Sequence, residues 1–330
     1  MKRAASIFSV FGLLSGCGGI QSALNADGHA AATLRDLIFL IVGVSLVVWL
    51  AVSGVLIWSL FRRRRTPVRN EQATRRRLQL VVTIAVAMTV VIISWLTVAS
   101  FRVTRTVGFD DYADLTIRVR AHQWWWQFDY EEAGLGRGFQ TANEIHIPVG
   151  RNVRVKLESA DVIHSFWVPS LAGKMDLVPG RENILIFRAD RPGVYRGQCA
   201  EFCGLQHSHM ALMVIADDEP GYLRWAKAQR ADADTPQNVD AQAGMSVFMR
   251  KQCAACHTIR GTPASGVTGP DLTHVGSRRT IGAGLLENTR GSLAAWVADP
   301  QTLKPGNNMP LVPLSSEELR QVSAYMEGLE

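Results

Sequence analysis

Gly197-Gln-Cys-Ala-Glu-Phe-Cys-Gly-Leu-Gln-His-Ser-His-Met210 brings Cys199, Cys203, His207 and Met210 into fourteen residues. Two thiolates, an imidazole and a thioether are soft or borderline ligands of the kind that select copper or zinc. The spacing Cys-x3-Cys-x3-His-x2-Met gives one loop two sulfurs that can bridge, with an imidazole and a thioether for opposite sides of a cluster. A second imidazole is needed, and His164 supplies one within Asp161-Val-Ile-His-Ser-Phe-Trp-Val-Pro169, at the mouth of a preceding strand. The competing reading, a small-loop disulfide between Cys199 and Cys203, suits an oxidising compartment. It leaves the offsets of the histidine and methionine without a reason.

Outward from this loop, the chain reads as short alternating segments: Leu115–Arg120, Glu144–Val149, Val153–Leu157, Ile184–Phe187 and Met210–Ile215. Alternation of polar and apolar residues is the period of a half-buried strand. Turn signals at Pro148-Val-Gly150, Pro179-Gly180 and Pro192-Gly193 separate the segments, which predicts a small sandwich or barrel. With the copper-type loop, this pattern strongly resembles subunit II of cytochrome c oxidase.

The resemblance implies a cupredoxin-like Greek-key barrel over residues 102–230 and a binuclear copper centre (CuA). Its ligands would be His164, Cys199, Cys203, His207, Met210 and the carbonyl of Glu201. His209 falls outside the family spacing. The resemblance also implies that the Glu201 carboxylate reaches a magnesium ion at the boundary with subunit I. In the aromatic run His122-Gln-Trp-Trp-Trp-Gln-Phe128, read as lying between the second span and the barrel, it makes Trp124 the indole through which electrons enter. The other indoles are expected to pack, and Trp125 stands where the family usually has tyrosine.

Residues 231–243 are polar, rich in Ala, Asp and Gln, and contain Pro236, as an interdomain linker does. Next comes Cys253-Ala-Ala-Cys256-His257, the attachment signature of a c-type haem, with two thioether-forming thiols and a proximal imidazole. A redox dithiol or half a zinc site would not require the adjacent histidine. The distal ligand of a cytochrome of ordinary potential is a thioether. Met309, in the Pro-bounded loop Lys304-Pro-Gly-Asn-Asn-Met-Pro310, is the candidate. Met245 and Met326 fit helix faces: Ser315–Glu318 reads as a capping box, and Leu319, Val322, Met326 and Leu329 follow as an apolar stripe. His274 is a weaker competitor. Residues 244–330, including Gly269-Pro-Asp-Leu272, resemble an all-α class I cytochrome c domain.

Leu37–Leu60 and Leu78–Phe101 each run twenty-four residues without a charge. At about 1.5 Å per residue either crosses a hydrocarbon core of about 30 Å, so residues 37–101 are expected to form a transmembrane hairpin. The Arg-rich connection would stay cytoplasmic, leaving both chain ends outside. Neither span holds an ionisable side chain, so this chain is not expected to relay protons. Residues 1–16 read as a signal peptide, and Leu14-Ser-Gly-Cys17 resembles a lipoprotein cleavage box, which implies lipidation of Cys17 and a lipidated segment over 17–36. All five cysteines thus have roles. Residues 62–77 hold eight Arg against one Glu, a local +7 that exceeds the whole chain's +6, so the remainder carries a net −1. The high pI therefore does not point to nucleic acid.

The expectation is an electron-input subunit at the bacterial inner membrane, with copper and haem domains on the periplasmic side. Its partners would be subunit I, with III, and a cytochrome c or similar donor, and oxygen would be reduced to water in subunit I. The chain lacks the multi-helix, His-rich core that oxygen reduction needs. The alternatives are the corresponding subunit of another respiratory reductase, such as nitric oxide reductase, or a membrane-tethered electron carrier without a catalytic partner.

Overall fold

The computed structural model describes residues 19–62, 71–108, 112–131 and 138–330. They form two compact units, one of residues 32–110 and one joining residues up to 31 with those from 111 onward. The signal-peptide stretch, Cys17 and much of the Arg-rich connection lie outside the described residues.

The first unit is built from α1 (His29–Phe61) and α2 (Glu71–Gly108), both long and apolar enough to cross a membrane. Side chains such as Trp49, Leu50, Val81 and Val91 are exposed along both helices, as they would be against lipid rather than in a soluble core. Both helices overrun the expected spans, because the flanking residues continue the helix; Glu71 in the first turn of α2 and Arg105 in the last complement the helix dipole. The hydroxyls of Thr89 and Thr97 donate to the carbonyls of Ala85 and Ile93, four residues back, which satisfies them within an apolar stretch.

The second unit contains a ten-stranded barrel: β1 (Leu115–His122), β2 (Trp125–Tyr130), β3 (Phe139–Ala142), β4 (Glu144–Pro148), β5 (Val153–Ser159), β6 (His164–Trp167), β7 (Met175–Leu177), β8 (Asn183–Phe187), β9 (Gly193–Cys199) and β10 (Ala211–Asp217). Two five-stranded sheets run β3-β2-β1-β5-β8 and β4-β10-β9-β6-β7. The β1–β5 and β4–β10 pairs are parallel, and the others antiparallel. This is the expected cupredoxin-like architecture. Alternation sorts the faces: on β1, Leu115, Ile117, Val119 and Ala121 are buried, while Arg118 and Arg120 point out and pair with Glu158.

The tryptophan run is not a connection outside the barrel. It leads into β2, where Trp126, Phe128 and Tyr130 face inward and alternate with Trp125, Gln127 and Asp129. Density of aromatics hides the two-residue period. Trp126 and Phe128 are fully buried, and burying each such ring contributes about 1.5–3 kcal/mol.

After α3 (Glu219–Arg230), capped by Asp218, the connection is shorter than the polar composition indicates. α4 (Val239–Arg250) already starts within it, because the Asn238 side chain accepts from Ala241 N at 2.7 Å and caps the helix. Nor is the connection a free tether: Arg260 donates to the carbonyls of Gln229 and Ala231, and Ala233 N donates to Arg260 O.

The C-terminal domain adds the short pair β11 (Thr280–Ile281) and β12 (Leu286–Glu287), then α5 (Arg290–Ala298), α6 (Pro300–Leu303) and α7 (Ser316–Glu327). α7 carries the expected capping box between Ser315 and Glu318. It packs Val322, Tyr325 and Met326 against Phe248 and Val247 of α4.

Candidate metal centres

Strand pairing assembles the copper-type cluster. β9 ends at Cys199 and β10 starts after Met210, and Cys199 N donates to Met210 O at 2.9 Å, closing the base of the loop between them. β6 pairs with β9 through Phe166 and Cys199, which brings His164 alongside. Cys199 Sγ lies 3.7 Å from Cys203 Sγ, 3.8 Å from His164 Nδ1 and 3.2 Å from the carbonyl of Glu201. Cys203 Sγ lies 3.6 Å from His207 Nδ1 and 3.8 Å from Met210 Sδ. Both cysteines are free thiols, so the disulfide reading does not hold. His209 points elsewhere, with its Nδ1 2.9 Å from Gln206 Oε1.

These donors fit a pair of soft metal ions. Two sulfurs stand between an imidazole on either side, with a thioether and a carbonyl as further donors, and His164, Cys199, Cys203 and Met210 are buried. His164 Nε2 lies 2.7 Å from Asp161 Oδ1, which fixes the tautomer that leaves Nδ1 to face the sulfurs. Asp161 also accepts from Val162 N and Gln123 N. Although burial pushes its pKa up, the hydrogen bonds from His164 and these amides hold it below the ordinary value. The contact with Cys203 draws the Cys199 pKa down, and the same contact, with burial, drives Cys203 up.

Two indoles buttress the loop. Trp124 Nε1 donates to Cys203 O at 2.9 Å, beside Gln123 Nε2 at 2.7 Å. Trp126 Nε1 lies 3.5 Å from Met210 O, and its ring meets His164 edge-on at 6.3 Å. Trp125 instead stacks on His122 at 4.4 Å. Glu201 is half-buried, between the two cysteines. Sequence reasoning misses Asp161 and Trp126, though an aspartate three residues before a ligating histidine is a readable signal.

In the C-terminal domain, Cys253 and Cys256 are free, half-buried thiols on and after a single 3-10 turn, followed directly by His257. His257 Nδ1 lies 2.8 Å from Pro270 O. A proton held there leaves Nε2 as the free donor, and burial lowers the imidazole pKa, which favours the neutral form that ligation needs. Gly269 allows this approach, since a Cβ there would stand 2.6 Å from His257 Cε1. The residues fit a c-type haem. Met309 is half-buried against the domain core, its backbone fixed by Asn307 Oδ1 and Gln301 Nε2. Met326 is buried on α7 and Met245 lies on α4. Both His274 nitrogens face carbonyl oxygens, of Glu330 and Ala231.

Family models match both domains. Residues 132–217 match the model described as cytochrome c oxidase subunit II, periplasmic domain, and residues 241–330 match cytochrome c. Residues 16–109 match the 4TM region of the DNA translocase FtsK/SpoIIIE, although the described residues there hold only two long apolar helices. A protein of Alkalihalophilus pseudofirmus named cytochrome c oxidase subunit 2 is 36% identical over 96% of this chain and 94% of its own length. One of the same name from Bacillus subtilis is 32% identical over 66% of this chain and 62% of its own. The periplasmic domain of subunit II of cytochrome oxidase of Bradyrhizobium japonicum aligns over 37% of this chain and 97% of its own at 31% identity, with a TM-score of 0.35.

Proposed function

The chain belongs to the cytochrome c oxidase subunit II family, and from that premise we propose that it is the electron-input subunit of an oxygen-reducing haem-copper oxidase. It would take electrons from a cytochrome c or similar donor and deliver them to subunit I. One observation carries this reading: His164, Cys199 and Cys203 cluster, with His207 and Met210 against Cys203, in the same compact unit of one chain as a Cys-x-x-Cys-His motif. When bound, a copper pair held by His164, Cys199, Cys203, His207, Met210 and the Glu201 carbonyl, and a haem c held by Cys253, Cys256, His257 and Met309, supply two one-electron carriers.

The chain's own residues orient and shield these sites. Asp161 holds the His164 ring by its Nε2, and Pro270 holds the His257 ring by its Nδ1. Burial of Cys199, Cys203 and Met210 excludes water from the sulfurs. Trp124, bonded to Cys203 O and only 8% exposed, is the indole placed to pass electrons toward the cysteines. The Glu201 side chain is assigned to magnesium at the boundary with subunit I. The two apolar helices anchor the chain in the bacterial inner membrane, with the barrel and cytochrome domain on the periplasmic side and Cys17 lipidated. The unit divides into a barrel domain running from β1 to α3 and a cytochrome domain that starts with α4, residues 102–108 belonging to α2 and not, as expected, to the barrel.

Affinity purification of the tagged full-length chain from its native membrane tests the reading. The expected result is a partner chain carrying non-covalent haem, with donor-driven oxygen consumption that Cys199→Ser abolishes. Purification without a haem-bearing partner, or turnover of nitric oxide in place of oxygen, would overturn it.

A further inference from the structure

Lysine is seldom fully buried without a partner of opposite charge, yet Lys304 is 2% exposed and its partners are backbone oxygens. Its Nζ donates to the carbonyls of Trp124, His209 and Gly282, each at 2.8 Å, which uses all three N–H bonds of an ammonium. Two acceptors belong to the barrel and one to the cytochrome domain. Burial pushes the Lys304 pKa down to about 7, while three oxygens that can only accept favour the protonated form.

Both ends of this side chain lead to a candidate ligand set. On the barrel side, Trp124 is bonded to Cys203 O and His209 directly precedes Met210. On the other, Lys304 opens the loop that ends at Met309. Its carbonyl accepts from Asn307 Nδ2, Asn307 Oδ1 accepts from Met309 N, and Gln301 Nε2 donates to Met309 O, at 2.8, 2.8 and 2.9 Å. Neighbouring contacts share the seam: Gln206 Nε2 donates to Pro305 O, and Ala211 N to Ala283 O. Gly284, at φ +78°, sits so close that a Cβ would stand 2.8 Å from Ala211 Cβ.

Resting on the two-carrier reading above, we propose that Lys304 is a positioning residue that clamps the Met309 loop of the cytochrome domain onto the copper loop over Trp124. It thereby sets the distance across which one electron leaves the haem iron and reaches the copper pair. A lysine that served only the fold of its own domain would have no use for two carbonyls of the barrel.

The test uses the full-length chain with Lys304→Met, Lys304→Arg and Gly284→Ala, the last wedging the same seam without touching Lys304. Hydrogen exchange of the Ala211 amide reads docking, and electron equilibration after photoreduction of the haem reads distance. Lys304→Met should raise the exchange rate at least tenfold and slow equilibration at least tenfold, with the sulfur-to-iron band and copper hyperfine pattern unchanged. Lys304→Arg should recover part of both, and Gly284→Ala should shift both in the direction of Lys304→Met. Wild-type exchange or wild-type equilibration in Lys304→Met would overturn the proposal, as would loss of either spectral signature. Exchange at Ala211 is measurable in the chain without copper or haem, so a failure of the two-carrier reading is distinguishable from a failure of the clamp.

Discussion

Asp161→Asn probes how the barrel aims its upstream imidazole. In the native site Oδ1 faces His164 Nε2 and Val162 N, both at 2.7 Å, and Oδ2 accepts from Gln123 N at 2.6 Å. Asparagine keeps one acceptor and gains a donor, so one side must set N–H against N–H. The less costly orientation keeps the oxygen toward His164 and leaves Gln123 N unpaired; the flipped one releases the ring. Loss of one hydrogen bond to a charged acceptor costs about 1.5–3 kcal/mol. Loss of the partner that orients a metal-ligating histidine typically lowers metal affinity by about 10–100-fold, or about 1.4–2.7 kcal/mol. The Asp161 side chain is 29% exposed, so water restores part of the loss. The expectation is about tenfold weaker copper binding for Asp161→Asn and a larger loss for Asp161→Ala. Competition of the metal-free chain with a copper chelator measures both. Asp161→Ala binding copper within twofold of wild type would show that Asp161 does not orient His164 for the metal.

Copper affinity should also rise with pH. The raised Cys203 pKa keeps that thiol protonated through neutral pH, so its proton must leave on binding. The logarithm of the affinity should climb by about one per pH unit, and more steeply below the raised pKa of His164, whose proton must leave as well; a flat profile from chelator competition would contradict this. Gly244→Ala should destabilise the cytochrome domain by up to about 2 kcal/mol. Its Cβ would stand 2.1 Å from Gln321 O of α7, and overpacking of about 1–3 kcal/mol outweighs a helix-propensity gain of about 1 kcal/mol; a raised melting temperature would count against it. Met309→Ala should remove the weak sulfur-to-iron band of the oxidised haem while Met245→Ala retains it, and the reverse pattern would move the ligand.

What is legible in the sequence is local. The copper-type loop places four donors within fourteen residues, and the haem motif occupies five, so residue type and spacing alone expose them. The inward alternation of β1 and the Ser315–Glu318 cap are readable for the same reason. β2 escapes such a reading because both of its faces carry aromatics at the start, Trp125 outward and Trp126 inward, which masks the period. The connection before α4 reads as a linker because its polar residues say nothing of the carbonyls that Arg260 binds. Lys304 is invisible as anything but a loop charge, since its barrel partners His209 and Trp124 lie 95 and 180 residues away. No sequence pattern encodes a contact to backbone oxygen at that separation.

Two thiols stand between two imidazoles in one chain, and paramagnetic resonance of the oxidised, copper-loaded full-length chain reads directly whether they would hold a copper pair. The expected spectrum shows hyperfine structure from two equivalent coppers sharing one unpaired electron, lost in Cys199→Ser. A single-copper pattern, or a silent spectrum from a chain that binds two coppers, would contradict it.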